Sequence, residues 1–148
     1  MEYIQTVPRT DLARKTRQVL LAVQRGQTAI VENHGQPEVA IMDIVDYHVL
    51  RAATSYYRNP PKIDPEAGLS DEEVTALEDT QARFNLVMTY YLGQSISLGR
   101  MAELLEIPWI DLRTRFVRLD VPVFVGPETM EEVRAEVDAI LEWRKRGE

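Results

Sequence analysis

With 148 residues, 45% of them hydrophobic and 28% charged, the chain has the composition of one ordinary globular domain or two very small ones. Its 24 acids against 17 bases leave a formal net charge of −7, and the absence of cysteine excludes a disulfide framework or a thiolate metal site. The opening "MEYIQTVPRT" lacks a basic region followed by an apolar run, and no apolar stretch approaches the ~20 residues of a bilayer span. A cytoplasmic protein with no membrane partner is therefore expected.

Charge is unevenly spread. The first twenty residues are net +2, and "RTDLARKTRQ" sets Arg9, Arg14, Lys15 and Arg17 against the single acid Asp11. Residues 56–80 hold Arg58 and Lys62 against seven acids, and "YYRNPPKIDPEAGLSDEE" concentrates three prolines and a glycine there. Prolines interrupt a helix and favour extended backbone. The composition thus predicts a first module over residues 1–54, a Pro-rich acidic linker over 55–70 and a second module over 71–148.

In the first module "YIQTV" reads as a short strand. Thr10 or Asp11 is positioned to cap the helix that follows. Leu12, Thr16, Val19, Leu20 and Val23 recur at helical spacing, and Gly26 ends the run. Arg14, Lys15, Arg17 and Gln18 must then face outward. "TAIVENHGQPEVAIM" places two β-rich runs around the turn residues "NHGQP", a hairpin, and Asp43 caps a further helix, "IVDYHVLRAA". The order is β-α-β-β-α.

The run "TDLARKTRQVLLAVQRGQTAIVENHGQPEVAIM" resembles the Phd/YefM antitoxins of bacterial and archaeal toxin–antitoxin operons. The resemblance covers roughly the first 55 residues. It implies a homodimer, or a higher homo-oligomer, whose N-terminal helix grips operator DNA. Arg14 falls on the family's DNA-contacting arginine, with Arg9, Lys15 and Arg17 beside it. Where the family often has a second arginine before the hairpin His-Gly, this chain has Glu32 and Asn33. An acidic protein binds phosphate through one locally positive face, and a dimer doubles that face. A module this small also has little core of its own, which favours an intersubunit interface.

The second module opens with Ser70 and Glu73 as a capping box. A long helix is predicted through Val74, Leu77, Phe84, Val87 and Met88, ending at "YYLGQS". Ser97 caps a short helix, "LGRMAELL", and a second, "WIDLRTRFVRL", comes after "EIP". Ala102 supplies the small residue at which helix-turn-helix pairs cross, and Met101, Leu105, Ile107 and Leu112 occupy the apolar positions. Glu106 stands where the turn usually has glycine. Two amphipathic helices of an ordinary bundle give the same pattern. The stretch over about residues 83–141 resembles the small helix-turn-helix antitoxins encoded beside PIN-domain toxins. Arg113, Thr114 and Arg118 are the expected outward, DNA-binding residues of the second helix, while the acid Asp111 on its opening turn would repel phosphate and makes DNA binding by this module less secure than by the first.

The end of the chain, "ETMEEVRAEVDAILEWRKRG", predicts a helix burying Met130, Val133, Val137 and Leu141. Its early acids and late bases complement the helix dipole. The same bases could enter a toxin, with Arg134, Arg144, Lys145 and Arg146 as the candidates.

Nothing pairs His34 or His48 with a nucleophile, and no glycine-rich phosphate loop occurs. Asp43, Asp46 and His48 do not share one helical face, so they make no metal set. No enzyme, cofactor or metal is expected. The expected fold class is α+β, with a Phd/YefM-like module followed by an all-α helix-turn-helix module. The expected function is that of an antitoxin. It would neutralise a cognate toxin, a PIN-domain ribonuclease before a RelE or Doc type, and repress its own operon. A protein-binding adaptor without DNA binding and a transcription regulator without a toxin remain alternatives.

Overall fold

The computed structural model describes residues 4–124 together with Asp138, Leu141, Glu142 and Arg146. The helix expected over 128–147 falls almost wholly outside these residues, and with it Arg134, Arg144 and Lys145. Strand β1 (Ile4–Pro8) runs directly into helix α1 (Arg9–Gln24). Pro8 is itself the N-cap, so no side chain caps this helix. Thr10 and Asp11, expected as caps, lie inside its first turn. There Asp11 complements the helix dipole and pairs with Arg14 at 2.7 Å. The helix kinks at Lys15 (φ −114°, ψ 19°). The Thr16 hydroxyl donates to the Leu12 carbonyl at 2.7 Å, a side-chain competitor of the kind that bends helices.

Strand β2 (Thr28–Asn33) pairs parallel to β1, with α1 as the crossover, and antiparallel to β3 (Gln36–Ile41). His34 and Gly35 alone make the hairpin turn, with φ of 52° and 76°. Two successive positive φ values match the twist of the flanking strands, which is why a His-Gly pair serves here. One face of the sheet and α1 enclose a small core of Val7, Val19, Val23 and Ala29, with Leu12 and Ile41 at its margin. Leu20, expected in that core, is 46% exposed and its neighbour Leu21 41%. Helix α1 covers β1 and β2 and leaves β3 open, so that Val39 is 55% exposed.

The Asp43 carboxylate accepts from the Val45 N–H at 3.2 Å and so caps α2 (Ile44–Arg58). The module boundary expected after residue 54 falls inside this helix. Val49, Ala52 and Ala53 of α2 pack into a second and much larger core with Val87, Met88, Tyr91, Met101, Leu112 and Phe116. Residues 59–70 then run outside regular structure. Asn59, Pro60, Pro61 and Lys62 are exposed, whereas Leu69 is buried. Ile63 sits so close to Gly93 that a Cβ there would lie 3.0 Å from it.

The single long helix expected next is two. Ser70 and Glu73 do form the capping box of α3 (Asp71–Thr75), but α4 (Thr80–Leu92) has its own cap, Asp79, which accepts from the Ala82 N–H at 2.9 Å. Arg83 stabilises the break by donating to the carbonyls of Leu77 and Thr75. Ser97 caps α5 (Leu98–Leu105), accepting from the Arg100 N–H at 3.1 Å, and α6 (Trp109–Arg118) begins after a three-residue turn. Glu106 holds the left-handed conformation (φ 55°) for which glycine is the usual choice. Met101, Ala102 and Leu112 are buried, and Leu105 and Ile107 pack against them. The whole is α+β, a three-stranded sheet followed by helices. Among the described residues no helix is long and apolar enough to cross a membrane.

Candidate nucleic-acid interface and partner surface

The periodicity that buries Val19 and Val23 turns the cations of α1 outward. The side chains of Arg9, Arg14 and Lys15 are 67%, 75% and 54% exposed, and Arg17 is exposed as well. Three of the four have acidic neighbours: Asp11 for Arg14 and, at 3.9 Å, for Lys15, and Glu38 of β3 for Arg9, also at 3.9 Å. Such surface pairs are worth about 0–1 kcal/mol and exchange readily for phosphate. Among the described residues Arg17 makes no ion pair. The structure thus brings the four cations onto one exposed stretch of helix, bent in its middle at Lys15.

On α6 the picture differs. Arg113 and Thr114 are exposed, as expected. Arg118, expected to point outward with them, instead has a side chain only 8% exposed and pairs with Asp46 of α2. Arg115 donates through Nη1 to Asp43 at 2.5 Å and to Asp46 at 2.8 Å, and through Nε to Asp111 at 3.1 Å. Burial works against its charge, but the hydrogen bonds to Asp46, Asp43 and Asp111 outweigh it, so its pKa is raised. Asp46 is the one buried charged residue among those described, at 1% exposure. Burying it is tolerable only because two guanidinium groups share it.

This four-residue node lies outside the expectations from sequence, although its outline is there. Asp43 and Asp46 stand three apart at the start of one helix, and Arg115 and Arg118 three apart near the end of another. Matching spacing of opposite charges is a legible signal. Asp111, expected to repel phosphate, is instead a partner of Arg115. The outward groups left on α6 are Arg113, Thr114 and a 57% exposed Val117. A shallow groove of about 530 Å³ lies between the start of α6 (Trp109, Ile110) and Glu142 with Arg146. Arg146 is exposed.

His48 is occupied structurally. His48 Nδ1 lies 2.6 Å from Gln81 Oε1, and its ring stacks on Phe84 at 5.1 Å. It therefore points away from Asp43 and Asp46, which face the arginines. Among the described residues no group of three His, Asp or Glu side chains is arranged to hold a metal ion. Compared with known proteins, the chain matches no family model, no curated protein and no solved structure.

Proposed function

We propose that this chain is an antitoxin in which the sheet unit binds operator DNA and the helical unit binds a toxin. The observation that carries the reading is the outward row of Arg9, Arg14, Lys15 and Arg17 on α1, in a protein that is otherwise acidic. Phosphate affinity depends on local potential rather than net charge, so this row supports a DNA face in an acidic protein. The exposed Leu20 and Leu21 of α1 and Val39 of the open strand β3 favour a homodimer that would cover them and present two such rows. The Phd/YefM resemblance of the first 55 residues points the same way.

For the helical unit the inward turn of Arg115 and Arg118 favours a protein partner over DNA. A recognition helix needs free cations at its phosphate-facing side, and α6 offers Arg113 alone among its arginines, beside the apolar Val117. The proposed partner is a metal-dependent PIN-domain ribonuclease, with a RelE or Doc type as the alternative. A carboxylate-lined active site of that kind suits an arginine, whose fork matches carboxylate in a two-pronged way. Arg146 is the described residue available for it, and Arg134, Arg144 and Lys145 remain proposals from sequence. Co-expression with the product of the adjacent reading frame tests the assignment. Rescue of growth and co-purification support it, and a neighbour that is neither toxic nor bound by this chain removes it.

A further inference from the structure

The two apolar cores do not merge. Val7, Val19, Val23 and Ala29 form one, and the helices from α2 onward form the other. Among the described residues no side-chain hydrogen bond or ion pair runs directly from residues 4–41 to residues 44–124. The chain passes between the units at Met42, and at that point the structure is polar. Asp43, the next residue, is gripped by Arg115. Arg118, held by Asp46, lays its guanidinium against Gly26 at the end of α1, where a Cβ would lie 2.7 Å from Nη1.

The fit around this junction is incomplete. Arg118 Nε and Gln5 Nε2 are both buried without a hydrogen-bond partner, and both residues border one gap of about 810 Å³ between β1, the start of β2 and the end of α6. Opening the gap would give both donors access to water. Separate cores and a polar junction without a shared hydrophobic interface are the marks of two units that move relative to each other.

We propose that the sheet unit is hinged on the helical body at Met42, with Arg118 against Gly26 as the latch of the closed arrangement and Arg115 on Asp43 fixing the helical side of the hinge. The latch arginine belongs to α6, whose outer side is the proposed partner surface. A partner that shifts α6 therefore acts on the latch, and through Gly26 on the base of the cationic helix α1. That consequence for DNA rests on the operator reading above, whereas the hinge does not.

The test exploits the absence of cysteine. Spin labels are placed at Gln18→Cys on α1 and Glu103→Cys on α5, both exposed, in the full chain diluted into an excess of unlabelled protein. Distances between them are measured without DNA or partner. Arg118→Gln removes the guanidinium from Gly26, whereas Asp43→Asn discharges the Arg115 pair inside the helical body while keeping a capping side chain. A second distance whose population rises about fivefold in Arg118→Gln and stays at the parent level in Asp43→Asn is the expected result. An unchanged single distance in Arg118→Gln, or an equal rise in both variants, overturns the latch. So does loss of the helical circular-dichroism signal in Arg118→Gln, because a latch that opens must leave the body folded.

Discussion

The Tyr91 hydroxyl donates to the Pro122 carbonyl at 2.7 Å and accepts from the Phe124 N–H at 3.0 Å, tying the segment after α6 to α4. The Tyr91 ring also packs at 5.4 Å against both Phe116 and Phe124. Tyr91→Phe keeps the rings and removes both hydrogen bonds, an expected cost of about 1–2 kcal/mol in urea unfolding.

The same residue gives a pH signature. Burial raises the Tyr91 pKa, the Phe124 hydrogen bond partly offsets it, and Tyr57 adds to the rise. Above the ordinary tyrosine value of about 10, the unfolded chain ionises here while the folded one stays protonated. Stability contributed by this group is thus complete below that pH and declines above it. Tyr91→Phe is expected to flatten the alkaline limb of the stability curve relative to the parent chain. Parallel limbs would show that Tyr91 is not the group responsible.

Glu106 adopts the left-handed conformation without glycine's freedom. A side chain there costs about 1–2 kcal/mol, and glycine returns about 0.5–1 kcal/mol of that through its more flexible unfolded state. Glu106→Gly is therefore expected to stabilise the chain by about 0.5–1 kcal/mol, read as a higher urea midpoint at unchanged slope. A lower midpoint would mean that the Glu106 side chain has a role its exposure does not suggest.

The features legible in the sequence are those decided locally. The caps at Asp43, Ser70 and Ser97 and the His34-Gly35 turn need only neighbours within a few residues, and all occur in the structure. The outward row on α1 comes from the same 3.6-residue period that buries Val19 and Val23. The break between α3 and α4 was hidden because apolar spacing continues across it, while the stop depends on Arg83 reaching back to Leu77 and Thr75. The pairs of Arg115 and Arg118 with Asp43 and Asp46 span 69 to 72 residues, so their matching spacing is visible in the sequence but only the fold brings the two halves together. For the same reason α2 reads as the end of the first module, although its Val49, Ala52 and Ala53 face the second core.

That packing sets an expectation for limited proteolysis. The exposed stretch Asn59, Pro60, Pro61 and Lys62 should be cut first, with Ile63 and Leu69 anchoring the chain beyond it. Because α2 precedes the cut and its packing partner α4 lies after it, the nicked halves should stay together in gel filtration and separate only on denaturation. Native separation into two folded pieces would contradict the shared core.

The most direct test of the central claim is salt-dependent binding to duplex DNA from upstream of this chain's own reading frame. Arg14 is exposed and, among the described residues, is bonded only to Asp11, so Arg14→Ala should fold as the parent does. Removing one phosphate-binding cation should reduce the slope of log K against log salt by about 0.9, and affinity should fall at every salt concentration. Arg14→Ala binding that DNA with unchanged affinity and unchanged slope would contradict the assignment of α1 as the DNA face.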